Sequence, residues 1–185
     1  MSRQICIILL LFSLLAVTLS TDCNSLSLNG TCEYYKTCLE EKYHCGENGY
    51  PVGYGFKYCS KFILFFEEFP PKGKEWVTKT LVCLKQSLQP HYLSNSNCET
   101  VYSAAFDSHP ECYFQNGFCD LFLDRVNILK TLKALLKVYE IQDFMSVTSL
   151  KQVYDTAKLC GKDYITQINQ LFKDIYFPQF MDGWD

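Results

Sequence analysis

Apolar side chains recur at helical spacing in two neighbouring segments of the first half of the chain. From 58 to 68 they recur at intervals of three and four residues, and Pro70-Pro71 ends the run. From 73 to 88 a second stripe contains Trp76, Thr80, Leu84 and Leu88, and Pro90 follows it. The pattern predicts one helix over 58–68 and another over 73–88.

The middle of the chain combines the same spacing with helix-start signals. A helix is predicted from Cys98 to Phe106, and Ser108-His109-Pro110-Glu111 is a capping box that predicts a separate short helix over 111–118. From 120 to 139 one long apolar stripe predicts a single helix. Its members are Phe122, Val126, Leu129, Leu132, Leu136 and Tyr139.

The C-terminal part predicts two further helices. Ser149 and Gln152 form a second capping box, and the helix that it opens ends at Cys160 with Gly161 as its C-cap. The last helix is predicted over 163–175. No segment alternates apolar and polar residues as a strand does. Residues 21–54 are dense in cysteine and end in a stretch rich in glycine, which predicts a loop. We therefore expect an all-α fold: a disulfide-linked helical bundle with a long helix hairpin and an irregular, cysteine-rich N-terminal segment.

The first 20 residues have the composition of a secretory signal peptide. Arg3 precedes an apolar run over 5–17, and the small residues Thr18 and Ser20 follow it. The run is shorter than the roughly 20 residues that a membrane-spanning helix needs. We expect residues 1–20 to be a signal peptide, residues 21–185 to form one domain, and the mature protein to be secreted without a membrane span.

The cysteine count supports export. Cys6 lies in the leader, and the other ten cysteines form an even set, which predicts a disulfide framework in an oxidising compartment. Spacing alone does not choose among the many pairings. Asn29-Gly30-Thr31 is a sequon for N-glycosylation, so we expect a glycan on Asn29.

Charge and motifs exclude several functions. The chain has 17 Lys and Arg against 20 Asp and Glu and no basic run, which argues against a nucleic-acid partner. The three histidines, His44, His91 and His109, have no zinc-ligand spacing, and the His-Asp dipeptide of secreted phospholipases A2 is absent. We predict no catalytic, cofactor-binding or metal-binding residues, hence no enzyme and no cofactor, and a role in binding or signalling.

The cysteines stand in motifs that resemble one family. The motifs are Tyr58-Cys59-Ser60-Lys61-Phe62, Gly73-Lys74-Glu75-Trp76-Val77, Leu81-Val82-Cys83 and Glu111-Cys112-Tyr113, with Cys119 seven residues after Cys112. Over 23–160 the chain resembles stanniocalcin, a family of secreted glycoprotein hormones. Carried over by position, this resemblance implies the disulfides Cys23–Cys38, Cys32–Cys59, Cys45–Cys98, Cys83–Cys112 and Cys119–Cys160.

The resemblance also implies a function. It points to signalling linked to calcium and phosphate homeostasis, and to inhibition of a pappalysin-type metalloproteinase, so the expected partner is an extracellular receptor or such a proteinase. Family members typically link two chains through a cysteine near the C-terminus, whereas no cysteine follows Cys160 here. We therefore expect no covalent dimer, and a non-covalent homodimer stays open.

Two other interpretations remain. A secreted helical lipid-binding or phospholipase-like protein fits the aromatic content and the disulfides, although the missing His-Asp dyad speaks against catalysis. The third interpretation is a secreted effector or structural protein that keeps the fold without the hormone role. Hydrolysis of phospholipid vesicles would favour the second interpretation, and expression restricted to one gland or life stage would favour the third.

Overall fold

A computed structural model describes residues 22–94, 96–140 and 147–161. Within these ranges the chain is all-α and has no β-strand, which confirms the predicted fold class. The predicted signal peptide, residues 1–20, and the helix predicted over 163–175 lie outside the described residues.

The first half of the described chain consists of short helices. They are α1 (Cys23–Leu28), the π-helical segment π1 (Tyr34–Glu40), α2 (Glu41–Tyr43), the π-helical segment π2 (Tyr50–Phe56), α3 (Lys57–Leu64) and a 3₁₀ turn at Phe66–Glu68. The second half contains the longer helices α4 (Pro71–Leu93), α5 (Cys98–Gln115), α6 (Phe118–Leu123), α7 (Ile128–Val138) and α8 (Val147–Leu159).

The N-terminal segment contains short helices, and of the predicted glycine-rich loop only 44–49 is non-helical, because 50–56 form π2. Pro51 lies in the first turn of π2, where a backbone N–H has no helical acceptor. The N–H that proline lacks therefore costs no hydrogen bond. Gly55 lets the backbone of π2 pass close to the Tyr35 ring of π1, because a Cβ on Gly55 would lie 2.5 Å from that ring. The glycine and proline residues that predicted a loop therefore serve close packing between two π-helical segments.

The two helices predicted over 98–106 and 111–118 are one helix, α5. Asn97 caps it by accepting from the N–H of Thr100 at 2.8 Å. Ser108 caps no new helix, because its hydroxyl donates to the carbonyl of Ala105 at 2.8 Å within α5. Pro110 lies inside α5 and cannot donate to the carbonyl of Phe106 four residues earlier.

The Phe106 carbonyl has a hydrogen-bond partner on another helix. The side-chain amide of Gln152, on α8, donates to the Phe106 carbonyl oxygen at 3.4 Å, and Gln152 itself is buried. Helix α8 packs along α5, so the amide compensates for the backbone bond that Pro110 removes. Gln152 belongs to the predicted capping box, but α8 begins at Val147, and Gln152 contacts the neighbouring helix instead.

The long helix predicted over 120–139 is broken into α6 and α7. The Asp124 carboxylate accepts from the backbone N–H of Asn127 at 3.2 Å and from its side-chain amide at 3.0 Å. Such Asp and Asn side chains compete with the helical backbone and favour a turn. The long hairpin of the described fold is formed by α4 and α5, which pack against each other. At the end of α8, Gly161 has a φ of 96°, which confirms it as the predicted C-cap.

Helix α4 lies at the centre of the described fold, against α1, π1, α5 and α6. The Trp76 side chain is almost fully buried, with ring centroids of Tyr113 and Phe118 at 5.5 and 5.2 Å. Around it the core is rich in aromatic residues, so a sizeable apolar interior supports the fold in addition to the disulfides.

Candidate functional site

Five disulfides connect the described helices. They are Cys23–Cys38, Cys32–Cys59, Cys45–Cys98, Cys83–Cys112 and Cys119–Cys160, with Cα–Cα distances between 5.6 and 5.8 Å. These are the same partners that the resemblance in the sequence implies. All ten cysteines of the described ranges are paired.

Each disulfide fixes two segments of the fold relative to each other. Cys83–Cys112 joins the two helices of the α4–α5 hairpin, and Cys119–Cys160 joins α6 to the turn after α8. Cys23–Cys38 joins α1 to π1, and Cys32–Cys59 joins the segment before π1 to α3. Such closures typically contribute about 2–4 kcal/mol each to stability. The exposed helix faces are consequently held in fixed relative positions.

His109 is buried inside this framework. Its Nδ1 lies 2.6 Å from the carbonyl oxygen of Ala105, and its ring contacts those of Tyr50, Phe106 and Tyr113. Burial, opposed only by that backbone bond, lowers the pKa of His109 to about 4, so the imidazole is neutral at physiological pH. In sequence His109 lies next to the predicted capping serine, but in the structure it is a core residue.

Tyr50 and Tyr113 contact the histidine ring within a larger group of buried and partly buried tyrosines. The hydroxyls of Tyr113 and Tyr139 hydrogen-bond each other at 2.8 Å, and burial raises the pKa of Tyr113 to about 12. Burial also raises the pKa of Tyr35 and of Tyr50. These phenols therefore stay neutral and serve as hydrogen-bonding members of the core, not as acids or bases at physiological pH.

Lys85 is a buried cation on the apolar side of α4. Its side chain is fully buried, and its ammonium donates to the carbonyl oxygens of Leu26 at 3.2 Å, of Thr31 at 2.7 Å and of Asn29. Burial lowers the pKa of Lys85 to about 8. The ammonium clamps the end of α1 and the sequon to α4. We did not predict this role, although a lysine four residues after Leu81 on an apolar stripe is a signal for it.

The sequon adopts a compact turn at the surface. The Asn29 side-chain oxygen accepts from the N–H of Thr31 at 2.9 Å and from its hydroxyl at 2.7 Å. Asn29 is half-buried, while Gly30 and Thr31 are exposed. The hydrogen bonds that Lys85 donates to the carbonyl oxygens of Asn29 and Thr31 hold this turn in place.

Neither a metal centre nor a membrane span is found in the described ranges. No group of three or more His, Cys, Asp and Glu side chains there is arranged to hold a metal ion. No helix among the described residues is long and apolar enough to cross a bilayer.

Comparison of the chain with protein-family models, with curated proteins and with solved structures finds no match in any of the three.

Proposed function

We propose that this chain is a secreted, stanniocalcin-like signalling glycoprotein that acts by binding other extracellular proteins. The observation that carries the proposal is the disulfide pairing. Ten cysteines allow roughly 900 connectivities, and the five bonds of the structure join the partners of the family pattern. The signal-peptide composition of residues 1–20 supports export.

The proposed activity is a contribution to calcium and phosphate homeostasis through inhibition of a pappalysin-type metalloproteinase. Inhibition of this kind needs a rigid surface rather than a catalytic group. The cross-linked helices supply such a surface, because a preformed interface loses little conformational entropy on binding. An extracellular receptor is the other partner of this proposal.

The first experiment tests the framework. The full chain is produced in eukaryotic secretory cells, and its disulfides are mapped by mass spectrometry without reduction. We expect secretion, removal of residues 1–20 and the five pairs of the structure. A map that leaves Cys119 and Cys160 unconnected would count against the family assignment, and retention inside the cell would contradict the proposed localisation.

The second experiment tests the activity. The secreted protein is incubated with a pappalysin and its protein substrate, and cleavage is followed by gel electrophoresis. We expect inhibition by the native protein and none by a reduced and alkylated control, which keeps the sequence but loses the fixed surface. Undiminished cleavage at micromolar native protein would refute the inhibitory role and leave the framework result intact.

A further inference from the structure

The corner between α6 and α7 exposes three aliphatic side chains within seven residues. Leu123 is 48% exposed, Val126 89% and Leu129 60%. Aliphatic side chains are usually buried, and single exposed ones are common. Three of them at one corner form a small apolar patch, which is typical of a surface that contacts a partner.

This corner has a defined conformation. The Asp124 carbonyl accepts from the N–H groups of Asn127 and Ile128 at 3.0 and 2.8 Å, and its carboxylate also binds Asn127. The disulfide Cys119–Cys160 fixes α6 one helical turn before Leu123. The aliphatic side chains are therefore presented by a fixed turn and do not depend on a disordered loop.

Exposed cations lie next to the patch in the chain. Arg125 stands in the turn, and Lys130 and Lys133 lie on the solvent face of α7, which contains no acidic residue. None of these three makes an ion pair with another described residue. Lys137, further along the same face, pairs with Glu68 at 2.7 Å.

Between 118 and 138, the segment that contains α6, the corner and α7, the acidic residues are Asp120 and Asp124. Hydrogen bonds from Asn127 lower the pKa of Asp124, and Lys72 on α4 adds to the lowering, so a fourth cation stands nearby. The three cations without ion pairs and Lys72 outnumber these two carboxylates. The corner thus combines an excess of positive charge with exposed aliphatic groups.

We infer that the α6–α7 corner binds a bilayer surface that carries anionic phospholipid. The three aliphatic side chains enter the boundary between head groups and acyl chains, and the cations contact lipid phosphates. An acidic polysaccharide would engage the cations but would leave the aliphatic side chains in water. A bilayer accommodates both, and this binding is additional to the protein-binding role proposed above.

The test is co-sedimentation of the full secreted chain with vesicles of phosphatidylcholine alone and of phosphatidylcholine with phosphatidylserine. We expect sedimentation with the anionic vesicles only. Each lysine or arginine near the surface contributes about a five-fold change in partitioning. The double variant Lys130→Glu/Lys133→Glu removes two such cations and should therefore weaken partitioning by at least roughly 25-fold, and Val126→Ser/Leu129→Ser should also weaken it.

Two matched controls use exposed side chains away from the corner. Leu93→Ser removes an aliphatic side chain that is 74% exposed, and Lys79→Glu reverses a charge on α4; both should bind like the unmodified chain. Circular dichroism verifies that every variant is folded. Absence of binding, or equal binding to both vesicle types, would overturn the inference.

If only the lysine variant lost vesicle binding, and the chain bound a soluble sulfated polysaccharide equally well, the inference would also be overturned. The corner would then be a site for polyanions. If the native protein did not inhibit a pappalysin, this inference would be unaffected, since the vesicle assay contains no proteinase.

Discussion

Gly55 lies where the backbone of π2 crosses the ring of Tyr35. A Cβ at this position would lie 2.5 Å from the ring, and Tyr35 is only 2% exposed, so the ring has little room to move. We expect Gly55→Ala to lower the free energy of unfolding by about 1–3 kcal/mol, as overpacking of a dense core does. Chemical denaturation followed by circular dichroism measures the change.

The matched control is Gly30→Ala. No atom lies within 4 Å of the position that its Cβ would occupy, and the sequon remains intact. This substitution should leave stability unchanged or slightly increased. Equal effects of the two substitutions would contradict the close contact between π1 and π2.

His109 predicts a dependence of stability on pH. The pKa of His109 is about 4 in the folded protein and 6.5 in the unfolded chain. The unfolded chain therefore binds more protons than the folded protein between these two pH values. The contribution of His109 to the free energy of unfolding is fully present above pH 6.5. It is lost as pH decreases toward 4, which lowers the free energy of unfolding by about 3 kcal/mol. Denaturation curves at several pH values measure the loss.

The comparison that isolates this contribution uses two histidine variants. His109→Gln should show a shallower fall between pH 6.5 and 4 than the unmodified chain, while the exposed His44→Gln should keep the full slope. Identical slopes for all three proteins would show that His109 is not buried as a neutral imidazole.

At the scale of helices, the pairing of α5 with α8 depends on one side-chain amide. Gln152→Leu removes the donor to the Phe106 carbonyl, which Pro110 leaves without its helical partner, and should cost about 1–3 kcal/mol. Gln115→Leu, on the exposed end of α5, should change stability by less than about 0.5 kcal/mol.

A double-mutant cycle gives the stricter test of this compensation. The Pro110→Ala background restores an N–H that reaches the Phe106 carbonyl, so Gln152→Leu should cost less there than in the native background. Equal costs in both backgrounds would mean that the amide acts through packing alone.

The helices also show how much of the fold could be predicted from the sequence. The apolar stripe through Trp76, Leu84 and Leu88 identified α4, because burial of one face imposes helical spacing directly. The break at Asp124 and Asn127 was missed, because a continuous stripe does not reveal that two side chains will bond the turn. The continuation of α5 through Pro110 was missed because its compensating donor, Gln152, lies 42 residues away in sequence.

The candidate surfaces were harder to predict than the helices. The pairing of the cysteines came from resemblance to a family and not from spacing, since spacing alone permits many connectivities. Lys85 and the α6–α7 corner depend on which face of each helix is covered, and that is decided by packing between distant segments. Val126 belongs to the apolar stripe of the helix predicted over 120–139, yet it is 89% exposed because α6 ends at Leu123, before it.

At the scale of the whole molecule, the paired cysteines predict the covalent state. All ten described cysteines are engaged within one chain. We therefore expect the secreted protein to migrate as a monomer on non-reducing electrophoresis and to contain no free thiol. A band of twice the mass that disappears on reduction would contradict this prediction.

The glycan on Asn29 is a separate prediction at this scale. The sequon turn lies at the surface, so the secreted chain should lose mass in a single step on treatment with an N-glycan-removing enzyme. Asn29→Gln should abolish that step, whereas Asn48→Gln, an exposed asparagine outside any sequon, should retain it. An unchanged step in the Asn29→Gln protein would place the glycan elsewhere.

The burial of Lys85 makes it a reporter of local opening. Its amine is enclosed by the carbonyls of Leu26, Asn29 and Thr31, so an amine-reactive reagent reaches it only when α1 moves away from α4. The rate at which Lys85 acquires a label, relative to exposed lysines such as Lys79, therefore measures how often the N-terminal helix detaches while the rest of the chain stays folded.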